Sequence, residues 1–215
     1  VAIDGNRDWP YHDTCLTLLT PIDPERFSAG VRPHDERDIL FGFAGNIGGN
    51  APDKTGVVQG RRPFIDQLMR RCGLQYRDRD RHVGIGTYQD VCDFMCRTRI
   101  TPNFPETGSF RRMHVKGRVV EAGLAGNLLL EKKKLGSSSP TENWFERGVD
   151  YLEWQEVEEA MEIVKKLKES PQVTQEYGER LRAKVLAEHT PLHFWGKVLN
   201  KVGLKAPERL CHKEC

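Results

Sequence analysis

The chain has 215 residues, of which 38% are hydrophobic and 30% charged, which is enough apolar material for the core of about one domain. Its formal net charge of +2 provides no general attraction to nucleic acid or to an anionic membrane, so we expect neither as a partner. The sequence has no apolar run near the roughly 20 residues that a membrane span needs and no signal-peptide pattern, so we expect a cytoplasmic protein. It opens on Val1 rather than Met, and we expect it to be part of a longer chain.

The first predicted regular strand of a large sheet begins at residue 39. Residues 1–37 are interrupted by several X-Pro pairs and are therefore predicted to be a linker that enters the domain from a preceding one. The run Ile39–Ala44 is apolar without alternation, which indicates a strand buried on both faces, as in parallel sheets. Periodicity then predicts helices at 63–72, 88–96 and 115–125, alternating with strands at 82–85, 99–104 and 128–130.

The second half of the chain becomes increasingly helical. A short helix at 142–147 and a strand at 150–152 precede helices that begin near Glu156, Pro171 and Pro191. Five alternations of strand and helix predict an α/β fold with a doubly wound, Rossmann-like parallel sheet and a helical C-terminal tail. We place the domain at residues 38–205 and a flexible tail at 206–215. Trp154 and Trp195 adjoin apolar stripes and are predicted to be packing residues.

The six cysteines give little support for a metal site. Cys92 and Cys96 lie four residues apart on a predicted helix, and Cys211 and Cys215 repeat that spacing. Zinc ligands usually form closer pairs on turns, so we predict reduced thiols and no metal.

Ligands of open α/β sheets bind at the carboxyl ends of the strands. The loop after the first strand contains Gly45 and Asn46, whose backbone N–H groups can face an anion, although a plain turn is the alternative.

The segment 61–81 contains seven arginines balanced by three aspartates, which is more typical of a solvated surface than of a nucleic-acid site. Arg61 differs, because it lies next to the glycine loop and is a candidate phosphate contact.

The segment around residue 118 carries the strongest functional pattern. A loop with His114 leads into a helix whose first turns contain Lys116, Arg118 and Glu121. A helix N-terminus with two cations suits a diphosphate, and a carboxylate one turn further along can accept the hydroxyls of a ribose. His114 is a further candidate ligand contact, with a structural role as its alternative. For Arg118 and Glu121 the alternative is an ordinary surface ion pair between them.

An ordered set of segments between about residues 20 and 200 resembles the C-terminal domain of group 1 glycosyltransferases of the CgeB (spore maturation protein B-like) kind. The closest similarity is the motif Arg118-x-x-Glu121-x-x-x-x-Gly126. The other similar segments are 21–27, 39–45, 88–103, 145–152 and 185–195.

The resemblance implies the donor-binding half of a two-domain GT-B enzyme that performs a hexosyl-type transfer without a cofactor. A nucleotide-diphosphate sugar of the UDP or GDP type would be the substrate, with Glu121 at its ribose and Arg118, Lys116 and the Gly45 loop at its diphosphate. An acceptor of unknown identity would bind an N-terminal domain that this chain lacks, and we assign no catalytic residue. Many relatives have an acidic residue where this chain has Met113. A non-catalytic nucleotide-sugar-binding or partner-binding module is the alternative. A generic Rossmann-like regulator with an arginine-rich surface is a third hypothesis, which salt-sensitive binding to random DNA would favour.

Overall fold

A computed structural model describes residues 2–4, 15–46, 61–77, 86–107, 112–133, 136 and 138–205. Its strands are β1 (Ala2–Asp4), β2 (Cys15–Thr17), β3 (Ile39–Ala44), β4 (Gln75–Arg77), β5 (Thr98–Asn103), β6 (Glu106–Thr107), β7 (Arg112–Met113), β8 (Leu128–Lys132) and β9 (Tyr151–Trp154). Its α-helices are α1 (Glu25–Ser28), α2 (Arg62–Cys72), α3 (Tyr88–Cys96), α4 (Gly117–Ala125), α5 (Val157–Lys168), α6 (Pro171–Glu188) and α7 (Pro191–Lys201).

Five strands form one parallel sheet in the order β4-β3-β5-β8-β9. This arrangement confirms the predicted α/β, Rossmann-like fold with flanking helices. Because the strands are parallel, their carboxyl ends meet at one edge, where Gly45 and Asn46 follow β3. β1 pairs in parallel with β2, and β6 pairs antiparallel with β7, outside this sheet.

The sheet separates two hydrophobic clusters. In β8, Leu129 belongs to the cluster formed with α3, α4 and α6, whereas Leu128 and Leu130 belong to the cluster formed with α2 and α5. Successive side chains of a strand point to opposite faces, so the helices cover both faces of the sheet. This two-sided burial explains why the central strands are continuously apolar.

The end of the predicted linker packs against the domain. Leu19, Ile22 and Phe27 are buried in the cluster with α3 and α4. Arg37 is also buried, and its guanidinium donates hydrogen bonds to Thr98 O, Ala125 O and Asn127 Oδ1 at 2.7, 3.0 and 2.8 Å. These contacts connect the entry segment to the C-terminal end of α4.

Several local predictions differ from the structure. β4 lies within the segment 61–81, for which the sequence indicated only a charged, solvated surface. The predicted strand at 82–85 and the tail at 206–215 lie outside the described residues. The helix predicted at 142–147 is wrong, because the chain instead forms a 3-10 turn at Pro140–Asn143. Buried Glu131 explains the change, since it accepts hydrogen bonds from the hydroxyls of Ser139 and Thr141 and so fixes this turn.

The helical tail is confirmed, but its last helix differs from the others. Trp154 is buried as predicted, whereas Trp195 is 46% exposed, so the packing role predicted for Trp195 is wrong. None of the residues of α7 is buried, which explains why its apolar stripe did not place Trp195 in the core. In the part of the chain that the structure describes, no helix is long and apolar enough to cross a membrane.

Candidate functional site

Positively charged side chains lie near the N-terminal end of α4, and the two ends of this helix differ in their hydrogen-bond partners. Its capping residue, Lys116, makes no side-chain capping hydrogen bond, and the first turn contains no acidic residue. At the other end, Arg37 and Arg182 donate to the carbonyl oxygens of Ala125 and Leu124. The helix dipole is therefore compensated at its negative end, whereas the Lys116 side chain does not cap its positive end, an arrangement that suits an anion.

Three cations surround this end of the helix. Arg61 Nη1 donates a hydrogen bond of 3.0 Å to Asn46 O, which connects the segment before α2 with the loop after β3. Burial and the positive charges of Arg61 and Arg118 lower the pKa of Lys116 to about 8. Among the described residues, none of these three side chains forms a salt bridge with an acid. A bound anion would therefore relieve their repulsion.

Arg118 is held in a fixed place by the end of β3. Its guanidinium carbon lies 4.2 Å from the centre of the Phe43 ring, a cation–π contact. Gly45 leaves the space that this guanidinium needs, because a Cβ at residue 45 would lie 2.5 Å from Arg118 Nη2. The φ of Gly45, 149°, also disfavours any other residue at this position. Burial lowers the pKa of Arg118 to about 10, and its buried Nε has no hydrogen-bond partner among the described residues.

Glu121 lies one turn further along α4 and does not form the surface ion pair that the sequence left open. Its Oε1 accepts a hydrogen bond of 2.9 Å from the Tyr88 hydroxyl of α3, and the part of the chain that the structure describes contains no Arg118–Glu121 salt bridge. Glu121 still acts on Arg118 through space, because its charge raises the pKa of the guanidinium against the larger effect of burial. A half-buried carboxylate thus follows the cationic helix end.

The structure brings six of the seven predicted site residues into one connected group: Gly45, Asn46, Arg61, Lys116, Arg118 and Glu121. The backbone N–H of the seventh, His114, donates to Pro105 O at 2.9 Å, which fixes the loop that leads to α4. Ligand binding by these residues stays a prediction. The rest of the glycine loop, 47–50, lies outside the described residues.

Sequence reasoning missed two residues that support this group. Phe43 appeared only as an apolar strand residue, and the hydrogen bond of Tyr88 joins residues 33 positions apart. Neither contact follows from local spacing. Two signals for Tyr88 were available in the sequence. Tyr88 begins the segment 88–103 that resembles the family, and it directly follows Thr87, which caps α3 together with Asp90.

The buried cysteines have no described metal partner. Cys92 and Cys96 are both buried on α3, and burial raises their pKa values to about 12 and about 11, which keeps them as thiols. Among the described ranges, no three metal-ligating side chains come together.

Lys116 is expected to make anion binding depend on pH. In the free protein it loses its proton as the pH rises through about 8, so the affinity for sulfate, an anion whose own charge is constant in this range, should fall. A bound anion favours charged Lys116, so binding at pH 8.5 should take up a proton. Calorimetric titrations in two buffers of different ionisation enthalpy measure this uptake directly.

The conservative variant Lys116→Arg serves as the control for this titration. Arginine keeps its charge at pH 8.5, so the variant should bind sulfate without proton uptake and with a flat pH profile between 7 and 9. Proton uptake that persists unchanged in Lys116→Arg would show that another group titrates in this range.

Comparison with known proteins gives one family and several similar folds. The sequence profile of the glycosyl transferase-like family matches residues 42–200. No curated protein matches the chain. HepE from Anabaena, in complex with UDP and glucose, has a TM-score of 0.56 at 13% identity, over 88% of this chain and 56% of that one.

Two further solved structures have similar folds. An alpha-glucosyltransferase in complex with UDP-glucose and DNA containing an abasic site has a TM-score of 0.59 at 8% identity, over 91% of this chain and 60% of that one. The C-terminal domain of LpcC, a group 1 family glycosyl transferase from Francisella tularensis, has a TM-score of 0.53 at 8% identity, over 79% and 99%. At these identities the similarity concerns the fold alone. The chain spans 56% of the length of HepE.

Proposed function

The chain belongs to the glycosyl transferase-like family, and we propose that it is the donor-binding half of a GT-B glycosyltransferase of the CgeB kind. It would bind a nucleotide-diphosphate sugar for hexosyl transfer to an acceptor. The observation that supports this most is the group of Arg61, Lys116 and Arg118 at the uncapped end of α4, with Glu121 one turn beyond. The structural neighbours in complex with UDP or UDP-glucose also favour a UDP-type donor.

The distances along α4 suit a nucleoside diphosphate. Gly117 begins the helix and Glu121 follows four residues later, so the two levels are separated by about 6 Å along the axis. A diphosphate at the N-terminal end of α4 would be neutralised by the three cations, and the adjacent ribose would lie beside the Glu121 carboxylate. Its hydroxyls would donate to the carboxylate oxygens.

The same groups would assist transfer by stabilising the leaving group. When the bond between sugar and diphosphate breaks, negative charge grows on the diphosphate, and cations that are already fixed in place stabilise it. Phe43 and Gly45 hold Arg118 for that purpose, so little reorganisation is needed. We propose that the acceptor, and any base that deprotonates it, bind to a separate N-terminal domain.

A non-catalytic nucleotide-sugar-binding module is the second candidate. Met113 stands where many relatives have an acidic residue that contacts the donor sugar, which weakens the expectation of transfer. A complex with the proposed acceptor domain that binds UDP-glucose, yet neither hydrolyses nor transfers the sugar, would favour this alternative.

The proposal predicts that Glu121→Ala weakens nucleotide binding. Calorimetric titration of the protein with UDP, GDP, ADP and TDP should show saturable binding of one nucleotide. The variant should bind that nucleotide about 30-fold more weakly, because the ribose loses hydrogen bonds to a charged acceptor.

The matched control is Glu162→Ala, which removes an exposed carboxylate from α5. It should bind the same nucleotide within twofold of the wild type. If no nucleotide binds the wild-type protein, the proposed donor site is wrong, whereas the family and the fold stand.

A further inference from the structure

Tyr88 supports Glu121 from a separate helix. The Tyr88 hydroxyl donates to Glu121 Oε1 at 2.9 Å, across the packing between α3 and α4. Burial and the neighbouring Glu121 charge raise the pKa of the phenol well above its ordinary range, so the hydroxyl keeps its proton and remains a donor. This hydrogen bond uses one lone pair of Oε1, so it leaves the other lone pair of Oε1 and those of Oε2 for further donors.

The position of Tyr88 is itself fixed from three sides. Thr87 and Asp90 form a capping box that sets the first residue of α3, and the Tyr88 ring packs against the hydrophobic cluster of α3 and α4. The Arg26 guanidinium lies 5.7 Å from the centre of the ring on the side of the entry segment. A phenol held in this way restricts the rotamers of Glu121 before any ligand arrives.

We propose that Tyr88 is a positioning residue that makes the donor site selective for ribonucleotides over deoxyribonucleotides. The inference rests on the proposed function, in which Glu121 accepts from the ribose hydroxyls. A carboxylate that is already oriented loses less conformational entropy when it accepts hydrogen bonds from those hydroxyls. Its orientation therefore contributes to affinity only when the hydroxyls are present. A deoxyribose offers one hydroxyl fewer, so the orientation of Glu121 adds less to the affinity for a deoxyribonucleotide.

The test compares each ribonucleoside diphosphate with its 2′-deoxy counterpart, using UDP, GDP and ADP, on wild-type protein and on Tyr88→Phe. The wild type should prefer the ribonucleotide about tenfold. Tyr88→Phe keeps the ring but loses the hydroxyl, and should weaken ribonucleotide binding about fivefold while deoxynucleotide binding stays within twofold. A merely structural role for the hydroxyl would instead change both affinities by the same factor.

Two further variants make the result specific. Tyr177→Phe removes a hydroxyl of α6 that donates to Gly148 O at 2.9 Å, and it should leave the preference unchanged. In a Glu121→Ala background, Tyr88→Phe should have no additional effect, because the hydroxyl acts through that carboxylate.

The outcomes separate the two proposals. If the wild type binds a nucleotide and Tyr88→Phe keeps the tenfold preference, or weakens both nucleotides equally, the role of Tyr88 is overturned and the donor site stands. If the wild type binds TDP but none of the six nucleotides, this inference fails and the donor site stands, whereas both fail if TDP does not bind either.

Discussion

Replacing Arg118 with methionine is expected to lower the affinity for the bound nucleoside diphosphate about 100-fold, because two charge-assisted hydrogen bonds to phosphate are lost. Methionine fills a similar volume over the Phe43 ring without the charge. Titration calorimetry of Arg118→Met with the nucleotide that the wild type binds measures this loss.

A second readout distinguishes a ligand-binding arginine from a structural one. Arg118 is a cation whose buried Nε has no described partner and whose pKa burial lowers to about 10. Removing such a group should leave the free energy of unfolding unchanged or raise it, since an uncompensated charge costs desolvation energy. Arg118→Met should therefore lose affinity without losing thermal stability.

The control for net charge is Arg70→Met, at an exposed position of α2. It removes one positive charge away from α4 and should bind nucleotide within twofold of the wild type. An Arg118→Met protein that binds as tightly as Arg70→Met would contradict the assignment of Arg118 to the diphosphate.

The fold was predictable because the central strands and most helices depend on local patterns. The bounds of β3 and α3 agree with the predicted bounds, since an unbroken apolar run and a capped amphipathic segment are both visible in the sequence. β4 was not predictable, because Gln75–Arg77 is a short polar strand that pairs with β3 at the edge of the sheet as far as the structure describes it. The 3-10 turn at 140–143 was missed because its cause, Glu131, lies in a strand.

The candidate site was only partly predictable, for a related reason. Lys116, Arg118 and Glu121 share one helix, so their spacing alone grouped them. Their supports, Phe43 and Tyr88, come from other elements and meet α4 only after the sheet has formed. The sequence could also not distinguish an Arg118–Glu121 ion pair from two separate partners, since both are compatible with a spacing of three residues.

The packing of α4 against α6 leads to the largest expected effect on stability, at Gly178. A Cβ at this position would lie 2.1 Å from Gly126 O and 2.6 Å from Gly126 C, which are backbone atoms at the end of α4. Gly178→Ala should therefore force the two helices apart. It should lower the free energy of unfolding by about 3 kcal/mol, although alanine favours the helix by about 1 kcal/mol. Urea unfolding followed by circular dichroism measures this change.

Gly123→Ala provides the graded comparison on the facing helix. A Cβ there would approach Val185 Cγ2 at 2.6 Å, but that atom belongs to a side chain that can change its rotamer, so the cost should be smaller than at Gly178. Gly178→Ala also pushes on the carbonyl that accepts a hydrogen bond from His34 Nε2 at 2.7 Å, which adds to its cost. Equal stability of Gly178→Ala and wild type would show that α6 does not lie this close to the end of α4. A free energy of unfolding that is lowest for Gly178→Ala, intermediate for Gly123→Ala and highest for the wild type would instead support the packing that holds α4 in place. That packing also holds Arg118 and Glu121.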